Sequence, residues 1–344
     1  MKEKFAACML GGALGDALGY TVEFMHYHQI QSWFGPAGIL EPQTDSKSGM
    51  ALISDDTQMA LFTLDGMIWA YESGLPYAEG GLHPSYLRWL YTQTGSIMDT
   101  SLLARQIHEG GDSILAQKEL HVRRAPGSTC LSALRSGKLG TMKESVNDSK
   151  GCGGVMRVAP IGLFLYNDPA HAFRVGAESA AITHGHPTGY LAAGTLAAII
   201  ALLVVNKELG AACDEASLIL RRYAGHEETL RALDCARTLA VGSLQSVHAI
   251  RKLGEGWVAE QALAIGIYCA LKKHGFKRSL VASVNHDGDS DSTGAICGYI
   301  LGASGGMRVI PKDWADRLEL HSYIVRRSEE LSDVRKSSPQ KHQT

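Results

Sequence analysis

The run YLAAGTLAAIIALLVV, residues 190–205, decides the fold class, because so apolar a stretch is either a membrane span or the buried helix of a core. Its 16 residues fall short of the roughly 20 needed to cross a bilayer. It therefore reads as a buried helix, with Pro187 placed where a first helical residue is favoured. Outward from it, helical periodicity recurs while period-two alternation is nearly absent. In TQMALFTLDGMIWAYES (57–73), Met59, Phe62, Leu64, Met67 and Ile68 fall near one face. Further helices are predicted over 83–92, 98–109, 128–137, 170–182, 187–206, 212–223, 227–243, 258–273, 292–303 and 313–335, with loops over 36–50 and 140–151. The expectation is an all-α, single compact domain over 1–325 and a polar, flexible C-terminal tail over 326–344.

Glycine, at 38 of 344 residues, exceeds its usual share of about 7%. Many glycines sit inside apolar helical runs, GGALGDALG (11–19) and STGAICGYILGA (292–303). A mid-helix glycine costs up to about 1 kcal/mol, so close approach of helix to helix, or of backbone to ligand, is expected to compensate. Lys+Arg 33 against Asp+Glu 35 leaves a net charge of −2, which supplies no field for nucleic acid or an acidic membrane, and neither is expected as a partner. Seven cysteines without a C-x-x-C pair argue against a zinc ribbon or disulfide scaffold and for a cytoplasmic protein. The start, MKEKFAACMLGGALGDALGY, imitates a signal peptide, but Glu3 and Asp16 spoil the pattern.

Two clusters carry acids into helix starts. Ile-Ser-Asp-Asp-Thr (53–57) precedes the helix at 57–73, and on its own suits an N-cap with acidic first-turn residues. His-Asp-Gly-Asp-Ser-Asp-Ser-Thr (286–293) precedes the helix at 292–303. An EF-hand begins in the same way, but would need Gly where Ser292 stands and Glu where Gly298 stands. Both clusters share one format, two carboxylates plus a hydroxyl. If the loops face each other, Ser54, Asp55, Asp56, Asp289, Asp291 and Ser292 offer only hard oxygen donors, which select Mg²⁺, Mn²⁺ or Ca²⁺. Four carboxylates can hold two such ions. The Gly-rich turns Ala-Pro-Gly-Ser-Thr (125–129) and Ser-Lys-Gly-Cys-Gly-Gly (149–154) offer free N–H groups without matching a Walker loop. In Ile-Thr-His-Gly-His-Pro-Thr-Gly-Tyr (182–190), capping and ligand contact fit the histidines better than metal binding. Gly-Ala-Ser-Gly-Gly (302–306) matches G-x-S-x-G, but a helix rather than a strand precedes it.

In order, Gly11 to Gly19, Ser54-Asp55-Asp56-Thr57, Gly-Cys-Gly-Gly-Val-Met-Arg (151–157), Thr183-His184 and Gly-Asp-Ser-Asp-Ser (288–292) resemble the ADP-ribosylglycohydrolase family. That family includes dinitrogenase-reductase-activating glycohydrolases and arginine-specific ADP-ribosylhydrolases, and the arginine-specific branch is the nearer match. The resemblance implies packed, largely orthogonal helices and a binuclear centre of two Mg²⁺ (or Mn²⁺), with Ser54, Asp55, Asp56, Asp289, Asp291 and Ser292 as metal ligands. It implies Glu23, Asp55 and Asp56 as catalytic residues. Ser149, Lys150, Gly151, Cys152 and Gly153 would wrap the diphosphate and ribose, and His184 would line the ADP-ribose site. The implied activity is Mg²⁺-dependent hydrolysis of the N-glycosidic bond between ADP-ribose and a protein side chain, arginine first, with serine or small-molecule linkages as the alternative. ADP-ribosylated protein and ADP-ribose are the implied partners. Some relatives are immunity proteins, so an ADP-ribosyltransferase toxin is the alternative partner.

Overall fold

The computed structural model describes residues 1–96, 101–102 and 113–336. In chain order its helices are α1 (Lys2–Tyr20), α2 (Tyr27–Phe34), α3 (Asp55–Ser73), α4 (His83–Thr94), α5 (Ser128–Arg135), α6 (Ala159–Phe164), α7 (Pro169–Ala181) and α8 (Pro187–Val204). There follow α9 (Leu209–Leu220), α10 (Glu227–Val241), α11 (Ser246–Leu253), α12 (Ala259–Leu271), α13 (Phe276–Val284), α14 (Ser290–Gly305), α15 (Lys312–Ala315) and α16 (His321–Lys336). Extended pairing among the described residues is confined to isolated bridges, Thr44 with Ala51, Ala51 with Leu318 and Gly151 with Val258. The expected all-α class holds. The helix predicted at 98–109 lies, apart from residues 101–102, outside the described residues.

α8 is long and apolar enough by length and composition to cross a membrane, yet 94% of it is buried by its own fold. A helix apolar on all sides belongs in the middle of a core. α7, α6, α9 and α12 pack around it. α3 is likewise buried on every face from Asp55 to Ile68, not on the single stripe that periodicity suggested.

The pairing that positions the site is α1 against α14. A Cβ on Gly15 would stand 2.0 Å from the Gly294 carbonyl oxygen, and one on Gly298 would stand 1.9 Å from that of Gly11. Only hydrogen fits there, so the two glycine-rich helices touch backbone to backbone. The contact continues to the end of α1, where Gly19 lies against Ser290. The C-terminal end of α1 is thereby fixed beside the start of α14, the second acid cluster.

Two expectations need correction. The helix predicted over 313–335 is broken between α15 and α16, where Leu320 takes a left-handed φ of 57° and Ala51 bridges Leu318. The stretch expected to form a flexible tail from 326 is helical to Lys336, with Arg327, Ser328, Leu331 and Ser332 buried. The reason is a buried ion network: Arg327 reaches Asp65 of α3 at 3.1 Å, and Asp65 also takes Arg88 of α4 at 2.8 Å. Polar composition hid an anchored helix.

Candidate active site

The first acid turn is held from behind by α1. Asp16, fully buried, accepts the Ser54 N–H at 3.0 Å and the Thr57 N–H at 3.1 Å, and the Thr57 hydroxyl donates to it as well. On the other side Arg124 donates to the Ile53 carbonyl at 2.8 Å and is paired with Glu319. The turn then enters α3 with Ser54 as N-cap, its hydroxyl accepting from the Asp56 N–H at 3.2 Å. Asp55 accepts the Gly127 N–H at 3.2 Å, while Asp56 Oδ2 is buried and has no hydrogen-bond partner among the described residues. Neither Asp16 nor Arg124 had a role in the sequence reading. A lone charged residue reveals its partner only after folding.

The second turn is built alike. Asp289 caps α14 by accepting the Ser292 N–H at 3.2 Å, and Asp291 accepts the same N–H at 2.9 Å. The turns meet: the Ser54 hydroxyl faces Asp291, and Glu23, three residues beyond α1, also reaches Asp291. Glu23, Asp55, Asp56, Asp289, Asp291 and Ser292 line one cleft of about 320 Å³ together with Gly127, Gly151, Cys152, Gly153 and His184. A larger hollow of about 900 Å³ lies between 74–79, 139–143 and the α7 face with His171 and Arg174. It holds none of these acids.

Six carboxylates in or behind one cleft cannot all stay ionised without compensation. Burial first, and then the charge of Asp291, push Asp16 up to about 7 and hold Asp55 and Asp56 well above the ordinary carboxylate range. Burial with Asp291, Asp289 and Asp55 nearby raises Glu23 to about 11. Among the described residues no three His, Cys, Asp or Glu side chains are already closed around one point. What fits a hard cation is the donor chemistry: uncompensated buried oxygens, with Asp56 Oδ2 and Glu23 Oε2 both unpartnered. The thiol of Cys152 is kept protonated by burial and the Asp289 charge, which makes it a poor ligand.

The opposite wall is the glycine-rich loop. Asn147 staples it to the histidine turn, accepting the N–H groups of Ser149 (3.0 Å) and Gly185 (3.1 Å) and donating to the Thr183 carbonyl (2.8 Å). Arg157 donates to the Thr183 hydroxyl at 2.8 Å, and that hydroxyl is hydrogen-bonded to His184 Nδ1 at 2.8 Å. His184 Nε2 faces Gly151 and Gly153. Burial, and next the Arg157 charge, lower His184 to about 3 and keep it neutral. His186 instead caps α8 through the Thr188 N–H.

Two expected contact residues, Ser149 and Lys150, do not line the cleft. Lys150 turns away from the cleft to Glu228 (2.6 Å) and Glu260 (2.8 Å), whose charges satisfy it. The Ser149 hydroxyl is taken by the Gly151 N–H at 3.2 Å. Cys152 lines the cleft, but its thiol donates to Asp289 at 2.7 Å. At the rim, unmarked in the sequence reading, Phe24 stacks on Trp257.

A family model described as ADP-ribosylglycohydrolase matches residues 1–341. The ADP-ribosyl-[dinitrogen reductase] glycohydrolase of Rhodospirillum rubrum is 25% identical over 92% of this chain and 91% of its own. ADP-ribosylhydrolase ARH3 of Bos taurus is 28% identical over 50% of this chain and 54% of its own. The ADP-ribosylarginine hydrolase Tri1 of Pseudomonas putida is 20% identical over 96% and 78%. A solved structure titled ADP-ribosylglycohydrolase-related protein complex shares the fold, with a TM-score of 0.67 at 21% identity over 97% of this chain and 98% of that one. With the family model spanning almost its whole length, the chain belongs to the ADP-ribosylglycohydrolase family and is a glycosyl hydrolase.

Proposed function

We propose that the protein hydrolyses the N-glycosidic bond between ADP-ribose and an arginine side chain of a modified protein, with two Mg²⁺ (or Mn²⁺) held by Ser54, Asp55, Asp56, Asp289, Asp291 and Ser292. The observation that carries the reading is the convergence of two hydroxyl-and-acid turns on one cleft whose buried carboxylates lack a counter-charge. When bound, the ions supply positive charge to a ribose diol and acidify a water. The chain does the rest. Ser54 and Asp289 cap their helices, and Asp55, Asp289 and Asp291 accept backbone N–H groups, so these three acids are positioned before any ligand arrives. Gly151, Gly153 and His184 line the same cleft, where the missing side chains let a diphosphate approach the backbone. Glu23 stands at the mouth of the acid cluster with Oε2 buried and unpartnered among the described residues, placed to take or deliver a proton there. The water oxygen bonds to the anomeric carbon as the carbon–nitrogen bond breaks. The water's proton ends on the departing guanidine, giving ADP-ribose and arginine.

The test is a side-by-side release assay on arginine-, serine- and cysteine-linked ADP-ribose with Mg²⁺ or chelator. Arginine-linked ADP-ribose is released only with the metal, and Asp56→Asn or Asp291→Asn lowers that release at least 100-fold with the fold intact. Glu23→Gln keeps Mg²⁺ affinity and slows turnover. Release from serine alone would overturn the arginine assignment, and near-normal turnover in either Asp variant would overturn the site.

A further inference from the structure

Phe24 and Trp257 form a feature of the cleft mouth that the scheme above leaves without a role. Their rings stack at 5.3 Å with 19° between planes, and both line the cleft. Phe24 is 67% exposed and Trp257 37%. Phe24 also takes a left-handed φ of 66°, a conformation strained for a residue with a bulky side chain. An aromatic that is neither buried nor relaxed gains little for the fold. Trp257, by contrast, is fixed. Its carbonyl accepts the Cys152 N–H at 3.2 Å, and a Cβ on the left-handed Gly256 before it would stand 3.3 Å from that of Asp289.

The pair therefore stands at the acid end of the cleft, tied on one side to Glu23 and on the other to Asp289. On the reading above, that end takes the ribose and the bond to be cut, while adenine lies beyond the diphosphate. What meets the rings is the group that leaves. At 5.3 Å nothing fits between them, so a ligand uses the outer face of Phe24.

We propose that Phe24, backed by Trp257, is the acceptor-recognition platform on which the planar guanidinium of the modified arginine stacks. This rests on the arginine reading of the substrate. A delocalised cation gains from an aromatic face. A serine acceptor brings no such group, so the platform sets linkage preference.

The experiment compares full-length wild type, Phe24→Gly, Phe24→Leu and Phe24→Trp with Mg²⁺, reading kcat/KM on an ADP-ribosylated arginine peptide, the Kd of ADP-ribose, and Tm. Phe24→Gly and Phe24→Leu are expected to lose about tenfold in kcat/KM, mainly through KM. Phe24→Trp keeps turnover near wild type, ADP-ribose affinity stays within twofold throughout, and Phe24→Gly melts no lower than wild type because glycine suits its φ. Wild-type kcat/KM in Phe24→Leu would overturn the proposal. So would a parallel loss of ADP-ribose affinity, which would move the pair to the nucleotide end. A low-melting Phe24→Gly beside a normal Phe24→Leu would make the ring a packing residue. Absence of arginine-linked release by wild type itself would sink the reading beneath the proposal and the proposal with it.

Discussion

At the scale of single residues, helix capping and site construction turn out to be one arrangement. Ser54 and Asp289 are N-caps, and the acids that follow them are both first-turn residues and cleft walls. That is why the two acid turns were legible: a hydroxyl with two carboxylates at a helix start is a local signal. Asp16, Arg124 and Asn147, which hold those turns and the opposite loop, were not legible, because each acts on backbone far away in the chain. The uncompensated charge gives a sign to test. In chelator near neutral pH, Asp56→Asn should be more stable than wild type by about 1–2 kcal/mol, since it removes a buried carboxylate crowded by Asp291, Asp16, Asp55 and Asp289. Saturating Mg²⁺ should raise the wild-type Tm and leave the variant nearly unmoved. His184 runs with the opposite pH sense. Its folded value of about 3 lies below the ordinary 6.5, so its stabilisation is full above 6.5 and is lost as pH falls toward 3. Denaturant titrations at pH 7 and 4.5 should show wild type losing a few kcal/mol more than His184→Gln; parallel losses would mean that the imidazole is not held neutral.

At the scale of elements, most long apolar helices were readable and most short ones were not. α3, α7, α8, α12 and α14 lie close to their predicted bounds because many buried side chains repeat the helical period. α2, α6, α11 and α13 have six to nine residues, and α2 buries only Ile30, so no periodicity announces them. The glycine-rich runs raised two possibilities, and for α1 and α14 the answer is helix-to-helix contact. Gly15→Ala should accordingly cost about 3 kcal/mol or more, at the upper end for overpacking, since its Cβ would meet backbone that cannot rotate away. Denaturant midpoints check this, and a loss below 1 kcal/mol would show that the helices can part. α16 carries the other correction. Arg327→Ala leaves Asp65 with only part of its ion network and should cost toward the lower end of roughly 3–5 kcal/mol. A neutral result would return this stretch to the surface role its composition suggested.

At the scale of the whole molecule, the fold is a device for bringing together residues more than two hundred positions apart. α1 lies on α14 because of the glycines, Asp16 reaches from α1 to the Ser54 turn, and the two acid turns close on one cleft. Sequence supplied the turns and their matching format. It could not show that they face each other, which depends on a helix pairing. It also left unmarked the aromatic pair at the mouth, where Phe24 and Trp257 come from opposite walls. The most direct measurement is anomalous diffraction from a crystal of the full chain grown with Mn²⁺. The expected map has two peaks in the cleft, bounded by Asp55 and Asp56 on one side and Asp289 and Asp291 on the other, and loses at least one of them in Asp56→Asn. A cleft without peaks in a crystal that binds Mn²⁺ elsewhere, or peaks unchanged in the variant, would contradict the account.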